Sequence, residues 1–422
     1  MPPVFSPEEN SLEKHVEVIT EGCEEILVLD ELEEKLKLAI RNNRPLVVKF
    51  GVDPTAPDLH LGHSVALWKL RDFQNLGHKV VLLIGDFTAR IGDPSERSAT
   101  RPQLSPQKIN SHAKTYTDQA FKILDRERTE IKFNSSWFAE MSFEEVLELA
   151  SKFTVARLLE RDDFAKRYEA NAPIGLHEFL YPVMQAYDSL KLESDVEVGG
   201  TDQKFNMLAG REIQRGTGAA PQIVVTVPIL EGTDGVQKMS KSLKNQIGLA
   251  DPPAEMFGKI MSIPDALMVK YFALLTKMNA SEIAEVERGL EEERAHPAEL
   301  KRRLGRETVS LYWSDDEAVK AEQEFDKVFR DKEAPTEIPS VGLDERHIGG
   351  GRIWVIKLLR ETGLVRSNSE ARRLIAQGGV RINGETVASE DLEISISSGD
   401  VVQIGKRRFA KIVVGDDSSR PA

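Results

Sequence analysis

Two short apolar runs stand out early in the chain, Pro45-Leu46-Val47-Val48-Lys49-Phe50-Gly51 and Lys79-Val80-Val81-Leu82-Leu83-Ile84-Gly85. Runs of this length without alternation read as strands covered on both faces. Between them Ala66, Leu70, Phe73 and Leu76 recur with the spacing of one helical stripe, and Gly77 follows as a left-handed stop. The unit is strand–helix–strand, which closes with a right-handed crossover. Strand patterning returns at Asp195-Val196-Glu197-Val198-Gly199 and at the β-branched stretch 223–227. Strands alternating with helices predict a parallel α/β sheet, half of which is the kind that binds nucleotides at its crevice.

The other stretches arrange themselves around that sheet. Residues 1–40 read as an acidic helical extension whose buried stripe is Leu32, Leu36 and Ile40. Residues 41–248 hold the sheet, interrupted at about 105–190 by an amphipathic helical insertion with Tyr116, Ala120, Ile123 and Leu124 on one side; it is too long for a loop. Residues 249–332 are helical and highly charged, and Pro335, Pro339 and Gly349-Gly350-Gly351 mark an extended connector over 333–351. A small α+β domain is expected over 352–415. There Ser367-Asn368-Ser369-Glu370 is a capping box opening a helix, Gly378-Gly379 closes it, and Val380-Arg381-Ile382-Asn383-Gly384 reads as strand plus turn.

Charge divides the chain the same way. Among 422 residues, 56 Lys plus Arg stand against 69 Asp plus Glu, and a net charge of −13 excludes a protein that coats nucleic acid over its whole surface. The excess is uneven: residues 351–422 carry 12 basic against 9 acidic side chains, a net +3, which leaves −16 for residues 1–350. Contact with nucleic acid is therefore expected to be local and to include the tail. One cysteine, Cys23, permits neither an internal disulfide nor a cysteine zinc site, as in a reducing compartment. The longest near-apolar stretch, 223–230, is far below the ~20 residues of a membrane helix. The acidic N-terminal stretch lacks a basic-then-apolar leader, and a cytoplasmic protein with no membrane partner is expected.

Two clusters carry candidate chemistry. His60-Leu61-Gly62-His63 opens the helix that leaves the first strand, where free backbone N–H groups and the dipole attract anions. The two imidazoles project to one side, and Gly62 lets a nucleotide approach without a Cβ in the way. The plainer reading is a helix cap with half-exposed histidines. Lys238-Met239-Ser240-Lys241-Ser242 follows the turn residues Thr233-Asp234-Gly235, and its two ammonium and two hydroxyl groups suit a polyphosphate on which charge develops. Alone it reads more commonly as a solvated basic loop. Together, on opposite halves of a split parallel sheet, the two clusters grip one triphosphate from two sides. A third group, Tyr181, Gln185 and Asp188, falls on one polar helix face amid apolar neighbours and suggests a pocket, against the alternative of an exposed face.

His60-Leu61-Gly62-His63 and Lys238-Met239-Ser240-Lys241-Ser242 resemble the two signatures of class I aminoacyl-tRNA synthetases. Within that class the sequence looks like the bacterial tyrosyl enzymes along almost its full length, through Asp53-Pro54-Thr55, Gly92-Asp93-Pro94-Ser95, Tyr181-x-x-x-Gln185-x-x-Asp188 and Gly199-Gly200-Thr201-Asp202-Gln203. The last-but-one pattern separates it from the tryptophanyl enzymes. Two positions depart from the better-known pattern: Lys49 stands where a tyrosine would read the substrate hydroxyl, and Glu96 where glycine usually follows Gly-Asp-Pro-Ser.

The resemblance implies a Rossmann-type catalytic domain with a helical insertion, an α-helical anticodon-binding domain and a small α+β RNA-binding domain. It implies that tyrosine is activated with ATP to tyrosyl-adenylate and passed to the 3′ end of tRNA(Tyr). Thr55, His60, Lys238 and Lys241 would stabilise the departing pyrophosphate, His63 with Gly62 and Asp53 would position ATP or the adenylate, and Gly200, Asp202, Ser240 and Ser242 would complete that site. Asp93, Tyr181 and Gln185 would hold the substrate ammonium, Asp188 its phenol and Gln203 its carboxyl. Arg97 and Arg101 would meet pyrophosphate or tRNA, and Arg366, Arg372 and Arg373 the tRNA. Magnesium would arrive with ATP, with no protein-bound metal or organic cofactor, and the insertion would pair two copies of the chain.

Three other readings compete. A small nucleotidylyltransferase accounts for the histidine cluster alone, a non-catalytic RNA-binding relative accounts for the tail alone, and tryptophan activation is disfavoured by Gln185 and Asp188.

Overall fold

The structure, a computed structural model, describes residues 11–94, 105–329, 338–344, 348, 352–405 and 408–415. The chain divides into two compact units, Met1–Ser314 and Asp315–Ala422.

The first unit is built on a six-stranded sheet. Its strands are β1 (Glu25–Leu27), β2 (Val47–Val52), β3 (Lys79–Ile84), β4 (Thr129–Phe133), β5 (Val196–Gly200) and β6 (Ile223–Val227), in the order β1-β6-β5-β2-β3-β4. All neighbours are parallel except β1, which runs antiparallel to β6 with Ile26 opposite Val225. The near-continuous apolar runs of β2, β3 and β6 are buried because helices cover both faces of a parallel sheet. The order grows from β2 through β3 to β4 on one side and through β5 to β6 on the other. The resulting switch point leaves a crevice at the carboxyl ends of β2 and β5.

Helices α1 (Leu12–Thr20) and α2 (Leu29–Arg41) precede β2, and α3 (Leu61–Asn75) links β2 to β3. Ala66, Leu70, Phe73 and Leu76 are all buried, as the helical stripe predicts, and Gly77 takes a φ of 86°. The segment between β3 and β5 contributes α4 (Pro106–Ala120), α5 (Ser135–Phe138), α6 (Phe143–Ala150), α7 (Val155–Leu158), α8 (Asp162–Glu169) and α9 (Leu180–Lys191). Then α10 (Lys204–Gly216) joins β5 to β6, and α11 (Pro253–Met261), α12 (Met268–Leu275), α13 (Ala280–Glu291) and α14 (Pro297–Tyr312) complete the unit. Gly305 lets α14 approach α11 closely: a Cβ there would stand 2.8 Å from the Phe257 ring.

Three expectations change. Residues 1–40 are not wholly helical, since β1 adds an antiparallel edge to the sheet, and Ala39 rather than Ile40 completes the buried stripe of α2. The insertion at about 105–190 is not wholly helical either, because β4 pairs with β3. The helices of 249–332 are shared between the units: α11–α14 belong with the sheet, and α15 (Asp315–Phe329) falls in the second unit.

The second unit also contains β7 (Ser340–Leu343), β8 (Arg352–Trp354), α16 (Val355–Glu361), α17 (Asn368–Ala376), β9 (Val380–Ile382), β10 (Glu385–Thr386), β11 (Glu393–Ser395), β12 (Val401–Ile404) and β13 (Arg408–Val414). One sheet runs β10-β9-β12-β13-β7 over a core that includes Ile356, Leu359, Ile375, Val402 and Ile412. β7 lies inside the stretch 333–351 expected as connector and pairs in parallel with β13. Ser367 caps α17 by accepting from the Glu370 N–H, but the Glu370 carboxylate turns to the Arg366 N–H instead of closing the capping box.

Candidate active site

The cleft at the switch point encloses about 860 Å³. Both candidate clusters line it: His60, Gly62 and His63, and Lys238, Met239, Ser240, Lys241 and Ser242. The two clusters meet through Ile247, whose carbonyl accepts from the Leu61 N–H at 2.9 Å and whose N–H donates to Met239 Sδ at 3.5 Å.

His60 adopts an extended backbone just before α3, and its ring lies 3.9 Å, centroid to centroid, from that of His63. A Cβ at position 62 would stand 3.0 Å from His60 Nδ1, so glycine makes room for the ring as well as for any ligand. The His63 Nδ1 accepts from the His60 N–H at 3.3 Å, which leaves the proton of the neutral ring on Nε2. Burial, His63 and the two lysines push His60 well below the ordinary histidine range; burial and the charges of Lys238 and Lys241 bring His63 down to about 4. Both rings are neutral at pH 7, so each can donate one hydrogen bond without carrying charge.

The lysine loop is shaped by Asn245, which is 3% exposed. Its Oδ1 accepts from the Ser240 N–H at 2.7 Å, and its Nδ2 donates to Asp234 Oδ2 at 2.6 Å and to the Lys238 carbonyl at 3.1 Å. Met239 is buried beneath the loop, whereas Lys238 meets Asp202 at 2.9 Å and Lys241 meets Asp58 at 3.4 Å. Burial pushes Lys241 down, opposed by Asp58. The Ser240 and Ser242 hydroxyls are 2.9 Å apart.

The polar face of α9 forms the other end. The Tyr181 hydroxyl donates to Asp53 Oδ2 at 3.0 Å, and Asp53 Oδ1 accepts from Thr88 at 2.8 Å. Asp93 accepts from Arg161 Nη2 and from Gln203 Nε2, each at 2.7 Å. Gln185 Nε2 donates to Glu197 Oε1 at 3.1 Å. Asp188 accepts from Trp137 Nε1 at 2.9 Å and from Asn134 Nδ2 at 3.3 Å, and burial pushes its carboxyl up to about 7. Thr55, Gly200 and Asp202 also border the cleft. Asp53, Thr55, His60, Gly62, His63, Asp93, Tyr181, Gln185, Asp188, Gly200, Asp202, Gln203, Lys238, Ser240, Lys241 and Ser242 are thus brought together around one space.

Arg97 and Arg101, with Glu96, lie outside the described residues. Arg366, Arg372 and Arg373 are exposed at and before α17 in the second unit, where Arg372 Nε stands 3.6 Å from Glu390. Among the described residues no group of three or more His, Cys, Asp or Glu is arranged to hold a metal ion.

Sequence reasoning passed over Glu197, Asn134, Trp137, Arg161 and Asn245. Glu197 had a signal, for it and Lys49 each interrupt an otherwise apolar strand with opposite charge. The others carry no local signal: Asn134, Trp137 and Arg161 lie within the stretch read as a helical insertion, and Asn245 follows the lysine loop.

The tyrosine–tRNA ligase of Geobacter sulfurreducens is 52% identical to this chain over 405 residues, 95% of this chain and 99% of its own length. That of Moorella thermoacetica is 49% identical over 404 residues, 96% and 97% of the two chains. The chain belongs to the tyrosine–tRNA ligase family. The family model described as "tRNA synthetases class I (W and Y)" matches residues 41–330, and the S4 domain model matches 353–402. Among solved structures, the tyrosyl-tRNA synthetase of Archaeoglobus fulgidus complexed with L-tyrosine superposes with a TM-score of 0.60 at 23% identity, covering 74% of this chain and 99% of that one. The C-terminally truncated mitochondrial enzyme of Aspergillus nidulans gives 0.60 at 23%, over 76% and 94%. These two likenesses concern the fold. Membership in a ligase family gives the cleft a reaction to be measured against.

Proposed function

We propose that this ligase activates L-tyrosine in the cleft and charges tRNA(Tyr). The tyrosine carboxylate attacks the α-phosphorus of ATP, an O–P bond forms, and pyrophosphate leaves. A terminal ribose hydroxyl of the tRNA then attacks the acyl carbon and releases AMP. The first nucleophile is already ionised at neutral pH, so the protein's work is alignment and stabilisation of charge on the leaving pyrophosphate. Thr55, His60, His63, Lys238 and Lys241 are assigned that work. Neutral histidines, with the His63 proton on Nε2, beside ammonium groups match a load whose charge grows during the reaction.

Asp53, Gly62, Gly200, Asp202, Ser240 and Ser242 complete the nucleotide site. Asp93, Tyr181, Gln185, Asp188 and Gln203 hold tyrosine, with Asp188 accepting from the phenol. Where a pocket is built to bond a hydroxyl, an analogue lacking it leaves buried polar groups unpaired, an effect that reaches discrimination of about 10⁵ against phenylalanine in tyrosyl enzymes. Magnesium is assigned to the phosphates of ATP, not to the protein. The observation that carries the proposal is that both phosphate-gripping clusters border one cleft and meet through Ile247.

Helices α11–α14 are assigned to the anticodon, and Arg366, Arg372 and Arg373 on the S4-like unit to tRNA phosphates. A second copy of the chain is assigned to the segment 143–176, where Phe143, Val155, Tyr168 and Leu176 are 76%, 62%, 65% and 83% exposed. The cytoplasm is the proposed compartment; among the described residues no helix is long and apolar enough to cross a membrane.

ATP–pyrophosphate exchange with tyrosine, tryptophan, phenylalanine and no amino acid tests the reading. Exchange with tyrosine alone is expected, and exchange with none, or preferential exchange with tryptophan, contradicts it. Deleting residues 338–422 is expected to spare exchange while lowering tRNA charging at least about tenfold, consistent with loss of several phosphate contacts. Undiminished charging removes the second unit from the reaction.

A further inference from the structure

Lys49 of β2 and Glu197 of β5 are register partners on adjacent central strands, and they are 0% and 1% exposed. A buried ion pair is not a default stabiliser, because desolvation offsets the attraction and an apolar pair of similar volume is often as stable or more so. The pair is nevertheless fully bonded. Lys49 Nζ forms an ion pair with Glu197 Oε1 at 2.9 Å and donates to Ser189 Oγ at 2.7 Å and to the Gln185 carbonyl at 3.3 Å. Glu197 accepts in addition from Gln185 Nε2 at 3.1 Å, from Ser189 Oγ at 3.1 Å and from Gln222 Nε2.

Those bonds converge on one helix face. Gln185 and Ser189 are four residues apart on α9, and Asp188, which borders the same cleft, lies between them. Lys49 itself borders the cleft, with its ammonium engaged by Glu197, Ser189 and the Gln185 carbonyl. We propose that Lys49 is a positioning residue that, paired with Glu197, fixes this face of α9 and keeps Asp188 in the form that accepts a phenolic hydroxyl, so that the pair sets the preference for a phenol over a phenyl ring. The proposal rests on the reading of tyrosine as substrate.

The electrostatics around Asp188 point the same way. Its carboxyl is raised to about 7 by burial first; Lys49 is the largest opposing influence, ahead of the bonds from Asn134 and Trp137, and Asp53 raises it further. The charged groups around it are therefore Lys49 and Asp53 from β2 and its end, with Glu197 of β5 bonded to Lys49. The neighbours from the β4 side, Asn134 and Trp137, are uncharged. Without the Lys49 charge, Asp188 takes up a proton at higher pH, and a protonated carboxyl is the poorer acceptor.

The test uses the full chain, tyrosine- and phenylalanine-dependent ATP–pyrophosphate exchange, and a pH series. The variant Lys49→Gln/Glu197→Gln removes both charges and retains hydrogen-bonding groups; Lys49→Met/Glu197→Met is the apolar alternative, expected to fold if the first does not. In either, the acid limb of kcat/KM for tyrosine is expected to move up by about one pH unit. The tyrosine-to-phenylalanine ratio at pH 7 is expected to fall about tenfold and to recover at higher pH. Lys49→Arg, which keeps the charge, is expected to restore the parental limb. An unmoved limb, or an equal loss for both amino acids at every pH, overturns the inference by reducing the pair to scaffolding. If the parental chain shows no tyrosine-dependent exchange, it is the substrate reading that fails.

Discussion

At the scale of single residues, His63 and Asp188 titrate in opposite senses. The folded His63 takes a proton only near pH 4, whereas an unfolded histidine does so near about 6.5. Between those values the unfolded chain binds more protons, so the stability His63 contributes is complete above the upper value and is lost as pH falls through the window. Asp188 is raised to about 7 from an unfolded value near about 3.9, so there the folded chain binds more protons and stability falls as pH rises. The two slopes oppose each other and separate only in variants. We expect Asp188→Asn to make the melting temperature climb more steeply from about pH 4.5 to 6.5 than in the parental chain; an unchanged slope contradicts the raised carboxyl. Which residues would meet was legible in the sequence wherever a helix or glycine turn fixed the side chain, as at His60, Gly62, Tyr181 and Asp188. The partners that tune them were not: Asn134 and Trp137 reach Asp188 from more than fifty positions away in sequence, a pairing that only the folded sheet creates.

At the scale of elements, the lysine loop depends on one buried side chain. Asn245 bonds backbone or side-chain atoms of Asp234, Gln237, Lys238 and Ser240, and a Cβ at Gly232 would stand 2.2 Å from it. Asn245→Ala leaves buried backbone groups unpaired, so a loss of about 1–3 kcal/mol of stability is expected. It should also slow adenylate formation while leaving tyrosine affinity, read by equilibrium dialysis, within about twofold. A matching loss of affinity would show that the loop is not a separate element. Strands β2, β3 and β6 were readable because a strand covered on both faces must be nearly all apolar, and β5 by the alternation through Val196, Glu197 and Val198. β1 is three residues long, β4 is a half-buried edge carrying Glu130 and Lys132, and β7 is an edge beside Pro339, so none needs that signature.

At the scale of the whole molecule, the chain separates an acidic catalytic body from a basic tail, −16 against +3, which confines attraction for nucleic acid. Large apolar side chains from Phe143 to Leu176 stand exposed on the body, and we expect Phe143→Lys/Leu176→Lys to shift sedimentation from dimer to monomer. A parental chain that already sediments as a monomer would contradict the pairing. The most direct measurement is a crystal structure with ATP and tyrosinol, which occupies the amino-acid pocket but lacks the attacking carboxylate. The account predicts one triphosphate held between the His60–His63 pair and the ammonium groups of Lys238 and Lys241, with the phenol oxygen on Asp188. Phosphates bound away from either cluster would contradict it.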